Sequence, residues 1–217
     1  MSLLQVNYID HMGSDLRVVN SARYSFGANS QQLEDRDKKL IKYLAEHEHM
    51  SPFEHNILTV IIECPLYIRS QIHRHRTFSY NEISRRYTSE DLTFFIPEVI
   101  RKQAKSNRQA SEGELDEAES TEALHIFNTI HQDALNKYAR LIELGVSREQ
   151  ARGILPQNLM TKFYMTGNLR NWAHFIKLRI DHHAQHEVRE IGARVLTILQ
   201  DKFPVATSAL LGSSDSF

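Results

Sequence analysis

The sequence is short of cysteine and glycine. Cys64 is the single cysteine among 217 residues, so no disulfide can form within one chain and no cage of several thiolates can hold a metal. Only eight glycines are present, and neither GxGxxG nor GxxxxGK[ST] occurs. This excludes a Rossmann fingerprint and a P-loop. Any bound nucleotide must therefore be held by another arrangement of residues.

An excess of one charge is also missing, as is any long apolar run. Lysine and arginine total 26 against 27 acidic residues, whereas a protein that coats nucleic acid is usually far more basic. No stretch approaches the ~18–20 apolar residues that cross a bilayer, and the first ten residues do not resemble a secretory signal. We expect one domain over 1–217 in a reducing cytoplasm, with no membrane or nucleic-acid partner.

Hydrophobic periodicity predicts a mixture of helices and strands. Apolar residues at helical spacing predict helices over 14–24, 35–47, 66–73, 123–143, 169–180 and 183–202. Apolar, β-branched or aromatic runs predict strands over 56–63, 92–96 and 158–166. Since strands and helices do not alternate regularly, we predict an α+β fold and no Rossmann fold. It would have a small central, mostly antiparallel sheet and a helix-rich C-terminal half.

Two segments are predicted to lie outside this core. Residues 101–122 carry four basic residues followed by six acidic ones, a composition typical of a solvated surface excursion. The tail, 208–217, is predicted to fray.

The segment from Gln71 to Tyr87, QIHRHRTFSYNEISRRY, has the strongest chemical signal. Together with Arg69 it places five arginines within eighteen positions, opposed only by Glu82. A solvated basic loop is the plain structural interpretation. Arginine is suited to bidentate recognition of phosphate, however, and the interspersed Ser, Asn and Glu could bind the edge of a heterocycle. We therefore expect an anionic, nucleotide-like ligand here.

This segment resembles the signature of one enzyme family. Arg74-His75-Arg76 followed after seven residues by Ser84 matches RHRx7S of the flavin-dependent thymidylate synthases. The longer form RHRxxSxNExSxRY matches at all nine defined positions. Five further segments resemble the family: SARYS at 21–25, HMSPFEH at 49–55, RGILP at 152–156, NLR at 168–170 and LRIDHHAQ at 178–185. The resemblance extends over about 14–205, but residues 101–122 have no counterpart in it that we can identify.

The resemblance implies de novo synthesis of dTMP by reductive methylation of dUMP. Methylenetetrahydrofolate would donate the carbon, FAD would carry the electrons and NADPH would be the reductant. The resemblance also implies a homotetramer with active sites shared between subunits. A chain without a dinucleotide-binding fold can hold FAD if several chains form the cleft.

Residue roles follow from the resemblance alone. The implied FAD contacts are Ser51, Arg74, His75, Arg76, Glu82, Asn168, Arg170 and His174. The implied dUMP contacts are Gln71, Arg74, Glu82, Ser84, Arg86, Arg152 and Arg179, with Arg152 reaching the phosphate from another subunit. Arg179 would be the catalytic residue, because its fixed positive charge against the uracil ring would activate C5.

Three alternatives compete with this function. A thymidylate synthase that attacks with a thiolate would need an activated cysteine, but Cys64 ends a buried-looking strand with no base adjacent in sequence. His182 and His186 share i,i+4 spacing without a third ligand, so we expect no metal site. A non-enzymatic nucleic-acid binder would explain arginines interleaved with aromatics, but the net charge of −1 argues against it.

Overall fold

The computed structural model describes residues 3–87, 92–105 and 111–212. The chain divides into two compact units. The first unit comprises Met1–Leu3, Glu63–His73 and Glu82–Phe163, and the second comprises Leu4–Ile62, Arg74–Asn81 and Tyr164–Phe217. The prediction of one domain over the whole chain remains a prediction.

Within the described residues, six strands form two sheets. They are β1 (Gln5–Met12), β2 (Ile57–Pro65), β3 (Ser79–Glu82), β4 (Arg101–Gln103), β5 (Ser111–Glu114) and β6 (Met160–Asn168). The larger sheet has the order β1-β2-β6-β3, and β4 pairs with β5 in an antiparallel hairpin. In the second unit the Leu169 N–H donates to the Asn56 carbonyl and Thr59 bonds to Thr166. This register makes β2 and β6 antiparallel.

Eight α-helices account for most of the remaining described structure. They are α1 (Asp15–Arg23), α2 (Asp35–Glu46), α3 (Leu66–Ile72), α4 (Glu117–Glu143), α5 (Arg148–Ala151), α6 (Leu169–Arg179), α7 (His186–Lys202) and α8 (Pro204–Leu211). Short 3-10 turns lie at Tyr24–Phe26, Ser51–His55 and Arg152–Ile154. Among the described helices, none is both long enough and apolar enough to cross a membrane.

The core of the second unit is built around α6. Trp172 is fully buried, and its indole N–H donates to the Leu58 carbonyl of β2 at 3.1 Å. The Phe78 ring packs edge-on against Trp172, with 4.6 Å between ring centroids. Burial of large aromatic side chains with their polar atoms satisfied is a major source of stability. It fixes α6, and the residues that α6 carries, against β2.

A smaller core in the first unit surrounds the start of β6. Tyr138 of α4 and Ala151 of α5 are buried with Leu155 and Leu159. Beside them the Asn158 amide donates to the Phe95 carbonyl at 2.8 Å. This side-chain bond replaces one bond of a regular strand ladder, so 92–96 forms only an isolated bridge, Phe94 to Leu159, instead of the predicted strand.

The α+β prediction with a small antiparallel sheet is confirmed. The predicted helices at 14–24, 35–47, 66–73 and 169–180 agree with the structure to within a residue or two. Two predicted starts were wrong. Helix α4 begins six residues before 123, because the Asp116 side chain accepts the Glu119 N–H at its N-terminus. Helix α7 begins at His186 rather than 183, because Asp181 accepts the His183 N–H and stabilises a turn there.

The two peripheral segments are also more regular than predicted. The described part of 101–122 contains β4, β5 and the first turns of α4, all largely exposed, while 106–110 lies outside the described residues. Residues 208–211 belong to α8, where Leu210 is buried, so the prediction of fraying was wrong there. Residues 213–217 of the predicted tail lie outside the described part of the chain.

Asp15 is expected to stabilise the second unit through α8. This buried carboxylate accepts the backbone N–H groups of Val205 at 3.0 Å and Ala206 at 2.9 Å. The Asp15→Ala variant leaves both donors without this acceptor, so the free energy of unfolding should fall by about 1–3 kcal/mol. Urea unfolding followed by circular dichroism measures this change. Asp35→Ala, at an exposed position, is the control and should change it by less than about 0.5 kcal/mol; equal effects would contradict the assigned role.

Candidate active site

His75 is the buried centre of the arginine-rich motif. It is 6% exposed, whereas Arg74 and Arg76 on either side are exposed. Its ring packs edge-on against Phe175 of α6, with ring centroids 4.9 Å apart, and lies 6.4 Å from the Phe78 ring. A polar ring in such surroundings needs a hydrogen-bond partner.

Arg179 at the end of α6 supplies that partner. Its Nε donates to Nε2 of His75 at 2.9 Å, which requires Nε2 to carry no proton. Burial, the Arg179 charge and the neighbouring His174 lower the pKa of His75 to about 4. His75 is therefore neutral at physiological pH and accepts this bond without cancelling the arginine charge.

Tyr80 completes this group, which we call the His75 cluster: His75, Tyr80 and Arg179. The Tyr80 hydroxyl donates to the His75 carbonyl at 2.9 Å. Burial raises the pKa of Tyr80 to about 12, although the Arg179 charge acts in the opposite direction. Burial also lowers the pKa of Arg179 from its ordinary value. The two groups that accompany the guanidinium in this cluster are thus both neutral at physiological pH.

The start of α6 is fixed by local sequence. The Asn168 side chain caps the helix by accepting the Asn171 N–H at 2.9 Å. Gly167 precedes it, and a Cβ added there would lie 2.4 Å from the Phe78 ring. The absence of a side chain at Gly167 therefore lets the motif residue Phe78 pack closely on the strand that leads into α6.

Two implied flavin contacts line one hollow of the second unit. Arg170 and His174 border a space of about 270 Å³ together with Met50 and Lys177. Arg170 is held by Glu54, with 2.6 Å between Nη1 and Oε1. Ser51, Arg74 and Arg76, the other exposed residues of the implied flavin set in this unit, do not line this hollow.

Three implied dUMP contacts line one cavity of the first unit. Glu82, Ser84 and Arg152 border a space of about 700 Å³, which we call the nucleotide cavity. Because Arg152 of the same chain lines this cavity, its position does not require a second subunit. Gln71 and Arg86 do not line it, and Arg86 instead lies over the Tyr87 ring at 5.6 Å.

Glu82 is held in the nucleotide cavity by two side chains that were not among the predicted site residues. The Thr161 hydroxyl donates to Oε1 of Glu82 at 2.7 Å. On the other side Nη1 of Arg69 lies 3.6 Å from Oε2. Arg69 was visible in the sequence as part of the basic group, but nothing local marked Thr161. Tyr80 was likewise only one aromatic of the motif.

Cys64 lies at the buried end of β2. It is fully buried, and both burial and the Glu82 charge raise the pKa of its thiol. A thiol in this environment stays protonated and is a poor nucleophile. The structure therefore agrees with the interpretation of Cys64 as a packing residue.

The histidines do not form the pair considered from the sequence. His186 begins α7, whereas His182 lies in the preceding turn, so the two do not share a helix face. Within the described residues, three metal-ligating side chains come together only at Asp181, His182 and His183, all of them exposed. His183 and Asp181 are already hydrogen-bonded to each other at 2.9 Å.

Comparison with known proteins finds relatives over most of the chain. Residues 7–205 match the family model Thy1, described as thymidylate synthase complementing protein. The chain is 42% identical to a flavin-dependent thymidylate synthase of Thermus thermophilus, covering 94% of this chain and 74% of that protein. It is 40% identical to the enzyme of Kosmotoga olearia, covering 95% and 89%.

A solved structure agrees with the fold as well. The UMP/dUMP methylase PolB from Streptomyces cacaoi, bound with 5-Br dUMP, superimposes with a TM-score of 0.87 at 30% identity and covers 96% of this chain and 94% of that one. Fold and relatives together define the class of the protein as a flavin-dependent methyltransferase. The chain belongs to the Thy1 family, the flavin-dependent thymidylate synthases.

The neutral state of His75 can be tested by titration. Its pKa of about 4 lies below the value of about 6.5 expected in the unfolded chain. Stability from this group is therefore complete above pH 6.5 and is lost as pH falls from 6.5 towards 4, by about 3 kcal/mol in total. NMR of labelled histidine, with His75→Gln to assign the signal, should give a midpoint near 4. A midpoint near 6.5 would show that His75 does not act as a neutral acceptor.

Proposed function

We propose that this chain catalyses the reductive methylation of dUMP at C5 to give dTMP. FAD would be the flavin, NADPH the reductant and methylenetetrahydrofolate the carbon donor. The observation that carries the proposal is the nucleotide cavity, where Glu82 and Ser84 of the signature motif meet Arg152, which lies about seventy residues later in the chain. A guanidinium, a hydroxyl and a carboxylate in one cavity suit the phosphate and the polar edge of a pyrimidine nucleotide.

The donor set of the second unit supports FAD as the flavin. Arg74 and Arg76 are exposed and form no ion pair among the described residues, so both could bind a pyrophosphate. Arg170 would present its remaining N–H groups from a position fixed by Glu54. FAD, when bound, supplies the hydride chemistry of the reaction, while the chain binds and orients the reactants. The exposure of these arginines is compatible with a homotetramer whose subunits share active sites. We propose that the protein acts in the cytoplasm.

Arg179 is proposed to activate the pyrimidine. Its guanidinium is held by neutral His75, and a neutral acceptor leaves the positive charge in place. Positive charge against the carbonyl groups of uracil stabilises negative charge that develops on the ring and so makes C5 more nucleophilic. A carboxylate in the position of His75 would have cancelled much of this effect.

The proposal is tested by an absorbance spectrum of the purified protein followed by titration with dUMP. Flavin bands that shift on addition of dUMP, and dTMP formed with NADPH and methylenetetrahydrofolate, are the expected results. UMP is the necessary comparison, because PolB has also been solved with 5-Br UMP. Methylation of UMP but not dUMP would correct the substrate. A protein that binds no FAD would refute the proposal and favour a nucleic-acid binder.

Within that assay, Arg179→Ala should keep bound FAD and lose dTMP formation by at least about 100-fold, because about 2.7 kcal/mol of charge stabilisation is removed. Arg179→Lys should recover part of the rate, since it keeps the charge but not the fork of donors. The melting temperature of each variant checks the fold. Normal turnover by a folded Arg179→Ala variant would refute the catalytic role.

Cys64→Ala should remain active. The buried thiol stays protonated, so its removal should reduce stability through lost packing without reducing kcat more than about twofold. Turnover is measured at a temperature well below the melting point of the variant. Loss of activity in a folded Cys64→Ala variant would instead indicate thiolate attack on C6.

A further inference from the structure

Arg69 lies on α3 and faces the nucleotide cavity, where the proposed function gives it no role. Its side chain is 29% exposed, and its Nε is buried without a hydrogen-bond partner among the described residues. An unsatisfied buried donor destabilises the folded state. The other contacts of the Arg69 side chain must therefore offset this cost.

The neighbour that explains Arg69 is Glu82. Its two carboxylate oxygens are engaged from different sides, Oε1 by the Thr161 hydroxyl at 2.7 Å and Oε2 by Arg69 at 3.6 Å. The Glu82 side chain is only 25% exposed, although it borders the cavity. A glutamate side chain that moves freely loses rotamer entropy when it is ordered. Contacts on both oxygens provide that order before any ligand binds.

The charges that line the nucleotide cavity also favour a role for Arg69. The residues lining the cavity include Arg69, Arg85 and Arg152 against Glu82 and Glu149. Arg85 already donates to the Met160 carbonyl at 3.2 Å. Without Arg69 the positive and negative charges of the lining would be equal in number, and Glu82 would face a nucleotide phosphate with its nearest cation removed. Like charges in a partly enclosed site repel strongly.

We propose that Arg69 is a positioning residue: with Thr161 it holds the Glu82 carboxylate oriented and charge-compensated in the nucleotide cavity. This inference rests on the proposed function, because it takes dUMP as the ligand of that cavity. Arg69 acts through Glu82 rather than on the nucleotide directly. Its contribution to dUMP binding must therefore depend on the presence of the Glu82 carboxylate.

A double-mutant cycle tests this dependence. The variants are Arg69→Gln, Glu82→Gln and the double variant, each loaded with FAD and titrated with dUMP by calorimetry. Arg69→Gln should raise the Kd for dUMP at least about tenfold in the parent protein, but less than about twofold in the Glu82→Gln background. Arg140→Gln is the matched control, because it breaks an arginine–glutamate pair of 3.0 Å on α4 outside the cavity. It should leave the Kd unchanged.

Thr161 is the other residue that contacts the Glu82 carboxylate. If Arg69→Gln does not fold, as judged by its melting curve, Thr161→Val takes its place in the cycle with the same expectation. Equal losses in both backgrounds would overturn the inference alone, because the residue would then act independently of Glu82. Failure of the parent protein to bind dUMP would overturn the proposed function and, with it, this inference.

Discussion

The hydrogen bond from Arg179 to His75 is the contact on which the candidate catalytic group depends. It joins the arginine-rich motif to the end of α6, two parts of the chain that are 104 residues apart. Burial, the Arg179 charge and His174 lower the pKa of the imidazole to about 4, so its Nε2 is unprotonated and can accept the bond. A neutral acceptor fixes the guanidinium without neutralising it. This one contact therefore both positions the Arg179 guanidinium and leaves its positive charge in place.

The residues packed around this bond hold both His75 and Arg179 in place. The aromatic packing of Phe78, Trp172 and Phe175 excludes water from His75 and fixes α6 on β2. Gly167 allows Phe78 to approach the strand. Water in this position would compete for the imidazole and raise its pKa, so packing controls the electrostatics of the site. The packing of the core thus controls the protonation state of His75 as well as the stability of the second unit.

In the nucleotide cavity, by contrast, a guanidinium is paired with a carboxylate rather than with a neutral imidazole. Glu82 contacts both Thr161 and Arg69, and Arg152 of the same chain completes the lining. A carboxylate near a phosphate is tolerable only with cations beside it. The arginines of the two units therefore have different roles. Arg69 pairs with Glu82, Arg85 donates to the Met160 carbonyl, and Arg179 donates to a neutral imidazole.

The sequence alone determined the signature motif, the periodic helices and the buried strand β2, because these depend on residue identity or on a local apolar repeat. Tertiary structure decided the rest. Strand β1 exposes most of its residues, and β3 is a polar SYNE segment, so neither has an apolar pattern to recognise. Arg179 lies 104 residues from His75 in the chain, and Thr161 lies 79 residues from Glu82. Contacts across such separations are set by packing of the whole fold, which no local pattern records.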